Sequence, residues 1–205
     1  MGGIDKYPSQ VLQDAVDAIS SLPGVGSRSA LRLALNLLGR PSEEITQFAG
    51  AIGRLATDVH WCKHCMMVCD GDICPICADS RRDHSTVCVV ASVRDVMSIE
   101  GTSQYFGVYH VLGGIISPIS GVGPSDLKIR ELVDRIRDGG VSEVILALSG
   151  DVEGETTSFY LYRQIAPLGV KVTTLARGLG FGDDLEYADS LTLGRSIAAR
   201  QPFKP

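Results

Sequence analysis

The stretch CKHCMMVCDGDICPIC, residues 62–77, places five cysteines within sixteen positions. It separates an N-terminal part with apolar residues at helical spacing from a longer part in which strand and helix patterns alternate. Four of the cysteines form two Cys-x2-Cys knuckles, Cys62 with Cys65 and Cys74 with Cys77. Two knuckles at this spacing predict a Zn²⁺ site. Since four protein thiolates leave no open coordination position, the predicted zinc is structural.

The other candidate ligands in this region are weaker. Cys69 lies between the two knuckles and is interpreted as a spare residue, and His60 and His64 rank below it as alternative ligands. A redox role for a single Cys-x-x-Cys motif is the competing interpretation, which the pairing of two knuckles disfavours. Cys88 falls inside an apolar strand pattern and is predicted to be buried, as free cysteines usually are.

The composition is that of an ordinary globular protein, with 205 residues of which 44% are hydrophobic and 21% are charged. No apolar stretch reaches the roughly eighteen residues of a membrane span, and MGGIDKYPSQ lacks the apolar segment of a signal peptide. We therefore expect a cytoplasmic location without membrane contact, where reduced thiols favour metal binding over disulfides. The net charge of −5 argues against indiscriminate nucleic-acid binding, so any such contact is expected to be local.

The first sixty residues predict three helices. Apolar spacing and a capping Ser9 indicate a helix over residues 9–22, and a second is expected over 27–38. A third begins at residues 41–42, with acidic residues in its first turn, where the helix dipole favours them. Its apolar stripe is predicted to be buried and consists of Ile45, Phe48, Ile52, Leu55 and Val59.

The turn LPGVGSRSALRL, residues 22–33, joins the first two of these helices. Its glycines permit positive φ and close backbone approach, so its amides and the start of the second helix can face a phosphate. Arg28 and Arg32 lie one helical turn apart, and no acidic residue occurs between Asp17 and Glu43. The motif resembles a helix-hairpin-helix, which binds nucleic-acid backbones. The alternatives are an ordinary helical corner with solvated arginines, or a packing and dimerisation element.

Beyond the cysteines, strands are predicted at 87–91, 108–114, 143–149 and 170–175, with helices between them. This alternation indicates an α/β domain with a mostly parallel sheet. The pattern is similar to the Toprim domain of topoisomerases and primases, whose Mg²⁺ site uses a Glu after the first strand and acids after a later one. Here Ala91 occupies the position of that Glu, whereas Asp151, Glu153 and Glu155 could attract a divalent ion only weakly. An acidic helix start also has a structural interpretation, so catalysis is not expected.

Together these motifs resemble the bacterial recombination mediator family RecR over nearly the whole chain. Four further stretches carry the resemblance, namely RRD at 81–83, YHVLGGIISPISGVGPSDL at 109–127, EGETT at 153–157 and DLEYADSLTL at 184–193. The resemblance implies a non-enzymatic protein that acts with RecO, and in some settings RecF, to load RecA onto single-stranded DNA covered by single-strand-binding protein. It also implies ring-like tetramers around DNA, with subunit contacts through the N-terminal module and the C-terminal segment.

The resemblance further implies residue roles. Arg28 and Arg32 match the DNA-contacting residues of the family's hairpin, and Glu153 and Glu155 match the acidic patch associated with RecO. The four knuckle cysteines match the family's zinc ligands. Ala91, where the family commonly keeps Glu, is a departure, as is the stretch at 175–189.

The predicted fold class is therefore a multi-module α/β protein. Its expected parts are a helix-hairpin-helix module at 1–60, a zinc knuckle at 61–84, a Toprim-like domain with a mostly parallel sheet at 85–180, and a C-terminal helical segment for subunit contact at 181–205. The predicted function is DNA-binding recombination mediation, with single-stranded and duplex DNA as partners. The rivals are a Mg²⁺-dependent nuclease or primase-like enzyme, and a zinc protein without DNA contact.

Overall fold

The computed structural model separates the chain into two compact units, Met1–Asp58 and Val59–Pro205. The residues that the structure describes are 7, 9–176, 178–180, 182, 184–200 and 202. Parts of the predicted segments 1–60, 85–180 and 181–205 therefore lie outside the described residues. The four-part division stays a prediction.

The first unit contains three helices, and their bounds follow local signals in the sequence. They are α1 (Gln10–Ser20), α2 (Ser27–Leu38) and α3 (Ser42–Thr57). The hydroxyl of Ser9 accepts a hydrogen bond from the amide of Leu12 at 3.4 Å, which caps α1 as predicted. Helices α1 and α2 pack through the buried side chains of Val16, Ala30 and Ala34.

The predicted buried stripe of α3 is wrong. No residue of α3 is buried, and its apolar side chains Phe48, Ile52 and Leu55 are between 51% and 64% exposed. The only core of this unit that the described residues form lies between α1 and α2, where α3 contributes nothing. The periodicity of α3 marks an amphipathic helix, but its apolar face has no partner among the described residues of this unit.

The second unit begins with the cysteine segment and continues as an α/β domain. The cysteine segment holds β1 (His60–Trp61), β2 (Val68–Cys69) and the single-turn helix α4 (Pro75–Ala78). After it come β3 (Asp83–Val90), α5 (Val93–Gly101), β4 (Gly107–Val111), α6 (Ile129–Arg137), β5 (Glu143–Leu146), α7 (Val152–Ile165), β6 (Lys171–Thr174) and α8 (Ser190–Ala198). None of the helices that the described residues form combines the length and hydropathy that a bilayer span requires.

Strands β3 to β6 form one parallel sheet in the order β4-β3-β5-β6, which confirms the predicted sheet type. Strands β1 and β2 form a separate antiparallel pair. The sheet has a buried cluster on each face, and Cys88 belongs to one of them, as predicted. Because all four strands run in the same direction, the segments that follow β3, β4 and β5 meet at the same end of the sheet, beyond the carboxyl ends of the strands.

Candidate functional site

The four predicted ligand cysteines come together in one buried cluster. Cys62 follows β1, Cys65 lies in the next turn, Cys74 caps α4, and Cys77 lies within α4. All four Sγ atoms lie within 4.8 Å of one another, and those of Cys65 and Cys74 are 3.5 Å apart. Zn–S bonds of about 2.3 Å in a tetrahedron require sulfur separations of about 3.8 Å. The cluster therefore fits one tetrahedral metal ion.

Backbone amides help these sulfurs to act as thiolates. The amide of Cys74 donates to Sγ of Cys62 at 3.3 Å, and the amide of Cys77 donates to Sγ of Cys74 at 3.4 Å. Burial opposes ionisation of Cys62, but backbone hydrogen bonds from Cys74, Cys65 and His64 lower its pKa to about 7. Burial raises the pKa of Cys74 to about 12, and the neighbouring Cys77 thiol together with burial raises that of Cys65. Since buried thiolates repel one another, a bound cation is what allows all four to ionise.

Cys69 lies outside this cluster. It is half-buried in β2, and its Sγ donates to the carbonyl oxygen of Gly71 at 2.8 Å. His60 and His64 are not members of the cluster either. The structure thus brings together the four cysteines that the spacing selected.

The cysteine segment is hydrogen-bonded directly to the edge strand β4. The amide of Val111 donates to the carbonyl oxygen of Cys65 at 2.8 Å. Nη1 of Arg135, on α6, donates to the carbonyl oxygens of His64 at 3.1 Å and Tyr109 at 2.8 Å. The sequence alone did not identify Arg135 as a contact residue. Its only indication there is its position one helical turn after Leu132, which is buried. This arginine and the amide of Val111 together hold the metal-binding segment against the sheet.

A buried histidine lies in β4 beside these contacts. His110 is fully buried, and its Nε2 lies 2.7 Å from the carbonyl oxygen of Lys128, to which it donates. Within the described residues its Nδ1 has no hydrogen-bond partner. Burial lowers the pKa of His110 to about 4, and the nearby Arg135 acts in the same direction. The imidazole is therefore neutral at physiological pH.

The turn between α1 and α2 has the geometry expected of a helix-hairpin-helix. Gly24 has a φ of +81°, which a side chain would strain, and Gly26 is the N-cap of α2. Among the residues that the structure describes, no side-chain hydrogen bond caps the first turn of α2, so its amides are left for another acceptor. Residues 22–26 close the turn through a hydrogen bond from the amide of Val25 to the carbonyl oxygen of Leu22 at 3.1 Å.

Arg28 and Arg32 are exposed on α2 directly after this turn. Among the described residues, no carboxylate forms an ion pair with either guanidinium. A cation in the first turn of a helix is opposed by the helix dipole, so Arg28 does not stabilise α2 by charge. An anion at this position would be favoured both by the free amides and by the two guanidinium groups.

Two of the three acidic residues that follow β5 have structural roles. Asp151 is the N-cap of α7, and its Oδ1 accepts from the amide of Gly154 at 2.7 Å and from Oγ of Ser149 at 3.0 Å. Glu155 forms an ion pair with Arg195 of α8 at 3.0 Å. Glu153 lies half-buried in the first turn of the same helix.

The residue opposite these acids cannot complete a carboxylate site. Ala91 follows β3, packs partly against the main core, and accepts a hydrogen bond at its carbonyl oxygen from the amide of Gly113 at 3.0 Å. A methyl group neither binds a cation nor transfers a proton. The carboxyl end of β3 therefore lacks the Glu with which the acids after β5 would share a metal ion.

Comparison with known proteins agrees with this arrangement of modules. A model of the Toprim domain matches residues 85–176, and models of the RecR helix-hairpin-helix and the RecR C-terminal region match residues 12–56 and 178–201. The recombination protein RecR of Porphyromonas gingivalis is 54% identical over 200 residues, which cover 98% of this chain and 97% of the relative. The chain belongs to the RecR family.

Further relatives in this family show similar agreement over the full length. The recombination protein RecR of Bacteroides thetaiotaomicron is 52% identical over 198 residues, and that of Flavobacterium johnsoniae is 50% identical over 199 residues. Each alignment covers 97% of this chain and 97% of the relative. The helix-hairpin-helix and the Toprim domain are thus parts of one chain of the RecR family, which also contains the four-cysteine cluster.

Proposed function

We propose that this RecR family protein is a DNA-binding recombination mediator that acts with RecO, and in some settings RecF, to load RecA onto single-stranded DNA covered by single-strand-binding protein. The observation that carries the proposal is the pair of exposed arginines beside the uncapped start of α2. Mediation of this kind needs binding and geometry, and it needs no bond to be made or broken.

Arg28 and Arg32 are the proposed DNA contacts, on both single-stranded and duplex DNA. They lie one turn apart on a helix whose first amides have no side-chain cap within the described part of the chain, and the surrounding segment 18–42 contains no acidic residue. Guanidinium groups and helix amides bind phosphate without reading bases. The contact is therefore expected to be insensitive to sequence and sensitive to salt.

The proposed metal is a structural Zn²⁺ bound by Cys62, Cys65, Cys74 and Cys77. The support is the buried cluster of four sulfurs, all within 4.8 Å of one another, because four cysteines are a ligand set typical of structural zinc sites. When bound, the ion supplies folding free energy to a segment in which only the four ligand cysteines are buried. Thiolate ligands must stay reduced, which supports the proposed cytoplasmic location.

We assign Glu153 and Glu155 to the contact with RecO. Both lie in the first turn of α7, and Glu155 is still about half exposed although it pairs with Arg195. Carboxylates on a partner-facing surface steer association with a basic protein and set the register of docking. RecF is a further proposed partner.

A ring-shaped homotetramer is the proposed assembly. Its support is the exposed apolar stripe of α3, together with the exposed Leu191 and Ile197 of α8, since large exposed apolar patches mark interaction surfaces. A ring brings several copies of Arg28 and Arg32 to one DNA molecule. Phosphate contacts that are weak singly then become strong jointly.

The protein is proposed to be non-enzymatic. Ala91 removes the carboxylate that a Toprim-type Mg²⁺ site would use, and Asp151 is occupied as a helix cap. Purified protein should therefore neither cleave nor extend DNA in Mg²⁺, and the variant Ala91→Glu provides a comparison with the carboxylate restored. Multiple-turnover strand scission by the wild type would favour the nuclease alternative.

The test of the DNA contact is the salt dependence of binding. Changing Arg28 and Arg32 to Ala should weaken binding to a single-stranded or duplex oligonucleotide. The slope of log K against log salt should become less steep by about 1.4 to 1.8 for each subunit in contact. Arg130→Ala with Arg137→Ala on the exposed face of α6 is the matched control, because it makes the same change in net charge. Equal slopes for the two double variants would contradict the assignment.

A further inference from the structure

A short hairpin between β4 and α6 presents an isolated apolar side chain to solvent. Ser117 and Val122 exchange two backbone hydrogen bonds of 3.0 and 2.9 Å, and Gly121 turns the chain with a φ of +71°. We call residues 117–122 the tip hairpin. Ile119 lies in its turn and is 96% exposed, so it contributes almost nothing to the core of its own chain.

The base of the tip hairpin is firmly anchored. Ile116 and Val122 pack against the main core of the sheet. The amide of Ile116 donates to the hydroxyl of Thr157 at 2.9 Å, and that hydroxyl donates to the carbonyl oxygen of Glu153 at 2.7 Å. Thr157 is fully buried. Ile119 is therefore exposed on a hairpin whose base is fixed by the fold. Less conformational entropy is lost when such a preorganised hairpin binds a partner.

These bonds place the tip hairpin beside the first turn of α7. That turn exposes the apolar side chain of Val152 next to Glu153. Neither residues 113–127 nor residues 147–162 contain a lysine or arginine, whereas they contain Asp126, Asp151, Glu153 and Glu155. The local surface thus combines exposed aliphatic groups with carboxylates, of which Glu155 is paired with Arg195 of α8.

We propose that the tip hairpin and the first turn of α7 form one docking surface for a protein that presents cationic side chains around an apolar pocket. Ile119 is the apolar anchor of this surface, and Glu153 supplies the charge. Nucleic acid is disfavoured as the occupant, because these carboxylates repel phosphates. The inference rests on the proposed function, in which Glu153 and Glu155 contact RecO, and it adds the residue that fills the partner's pocket.

The experiment measures the affinity of the full-length protein for purified RecO of the same organism, with Ile119→Ser as the principal variant. Full burial of an exposed isoleucine at an interface corresponds to about tenfold or more in affinity. We expect Ile119→Ser to weaken RecO binding by at least this factor, with thermal stability unchanged. Met97→Ser, which removes another exposed apolar side chain in α5 (69% exposed), is the control and should bind as the wild type does.

Other results separate this inference from the proposed function. If Glu153→Gln weakens RecO binding and Ile119→Ser does not, the hairpin assignment is overturned while the RecO contact stands. Absence of any RecO binding by the wild type overturns both. If Ile119→Ser instead loses affinity for a single-stranded oligonucleotide and keeps it for RecO, the surface binds nucleic acid and the inference is wrong.

Discussion

Replacing Arg135 with alanine should loosen the attachment of the metal-binding segment to the sheet, which the bond from Val111 to Cys65 still maintains in part. In the native protein one guanidinium nitrogen donates to the carbonyl oxygens of His64, at 3.1 Å, and Tyr109, at 2.8 Å. A hydrogen bond to a charged group contributes about 1.5–3 kcal/mol, and the one to His64 is exposed and so lies at or below the lower end. The expected loss is therefore about 2–4 kcal/mol of unfolding free energy.

Thermal unfolding and metal release measure this loss. For a domain of this size each kcal/mol lowers Tm by about 2–4 °C, so a loss of about 3 kcal/mol lowers Tm by about 6–12 °C. A chromophoric chelator should also extract metal faster from Arg135→Ala, because the bond to His64 holds the turn between Cys62 and Cys65. Arg135→Lys should recover part of the stability, since an ammonium group can reach one carbonyl oxygen but not both in the same geometry.

Arg137→Ala is the matched control for this prediction. Arg137 lies on the same helix, but its side chain is 62% exposed and its ion pair with Asp134 is 3.6 Å long. An exposed pair of this kind contributes about 0–1 kcal/mol. Equal Tm values and equal metal-release rates for Arg135→Ala and Arg137→Ala would refute the reasoning, because they would show that the two carbonyl contacts do not hold the segment.

Three further predictions concern the metal, pH and backbone packing. Cys74→Ser should abolish stoichiometric metal binding, measured by elemental analysis, whereas Cys69→Ser should retain it; metal loss from Cys69→Ser alone would show that the wrong four cysteines were chosen. The pKa of His110 is about 4 in the folded protein and about 6.5 in the unfolded chain, so the buried imidazole is neutral. Its contribution to stability is therefore full above pH 6.5 and is lost as the pH falls towards 4, because only the unfolded chain binds a proton there. His110→Leu should therefore lose less stability than the wild type over this window in denaturant titrations, by up to about 3 kcal/mol, while metal release at acid pH affects both proteins alike. Gly154→Ala should unfold at lower denaturant concentration than the control Gly71→Ala. A Cβ at Gly154 would overlap the carbonyl oxygen of Ser149, whereas one at Gly71 meets open space. Equal midpoints would contradict this.

Features that depend on neighbours along the chain were predictable from the sequence. The bounds of α2 follow from the Gly-x-Gly turn and the apolar spacing after it, and the choice of four cysteines follows from two Cys-x2-Cys pairs. The parallel sheet followed from the alternation of strands and helices. Capping, turn chemistry and metal-ligand spacing act over a few residues, so they can be read without knowing the fold.

Only the tertiary structure decided which surfaces meet. The periodicity of α3 predicted a covered face, yet its apolar stripe is exposed, because a pattern shows that a face is apolar without showing what lies against it. Arg135 donates to the carbonyl oxygens of His64 and Tyr109, and Thr157 accepts from the amide of Ile116 at the base of the tip hairpin. These bonds join residues that lie 26 to 71 positions apart along the chain. Such contacts arise when the chain folds back on itself, so no local pattern around Arg135, Thr157 or Ile119 could have revealed them.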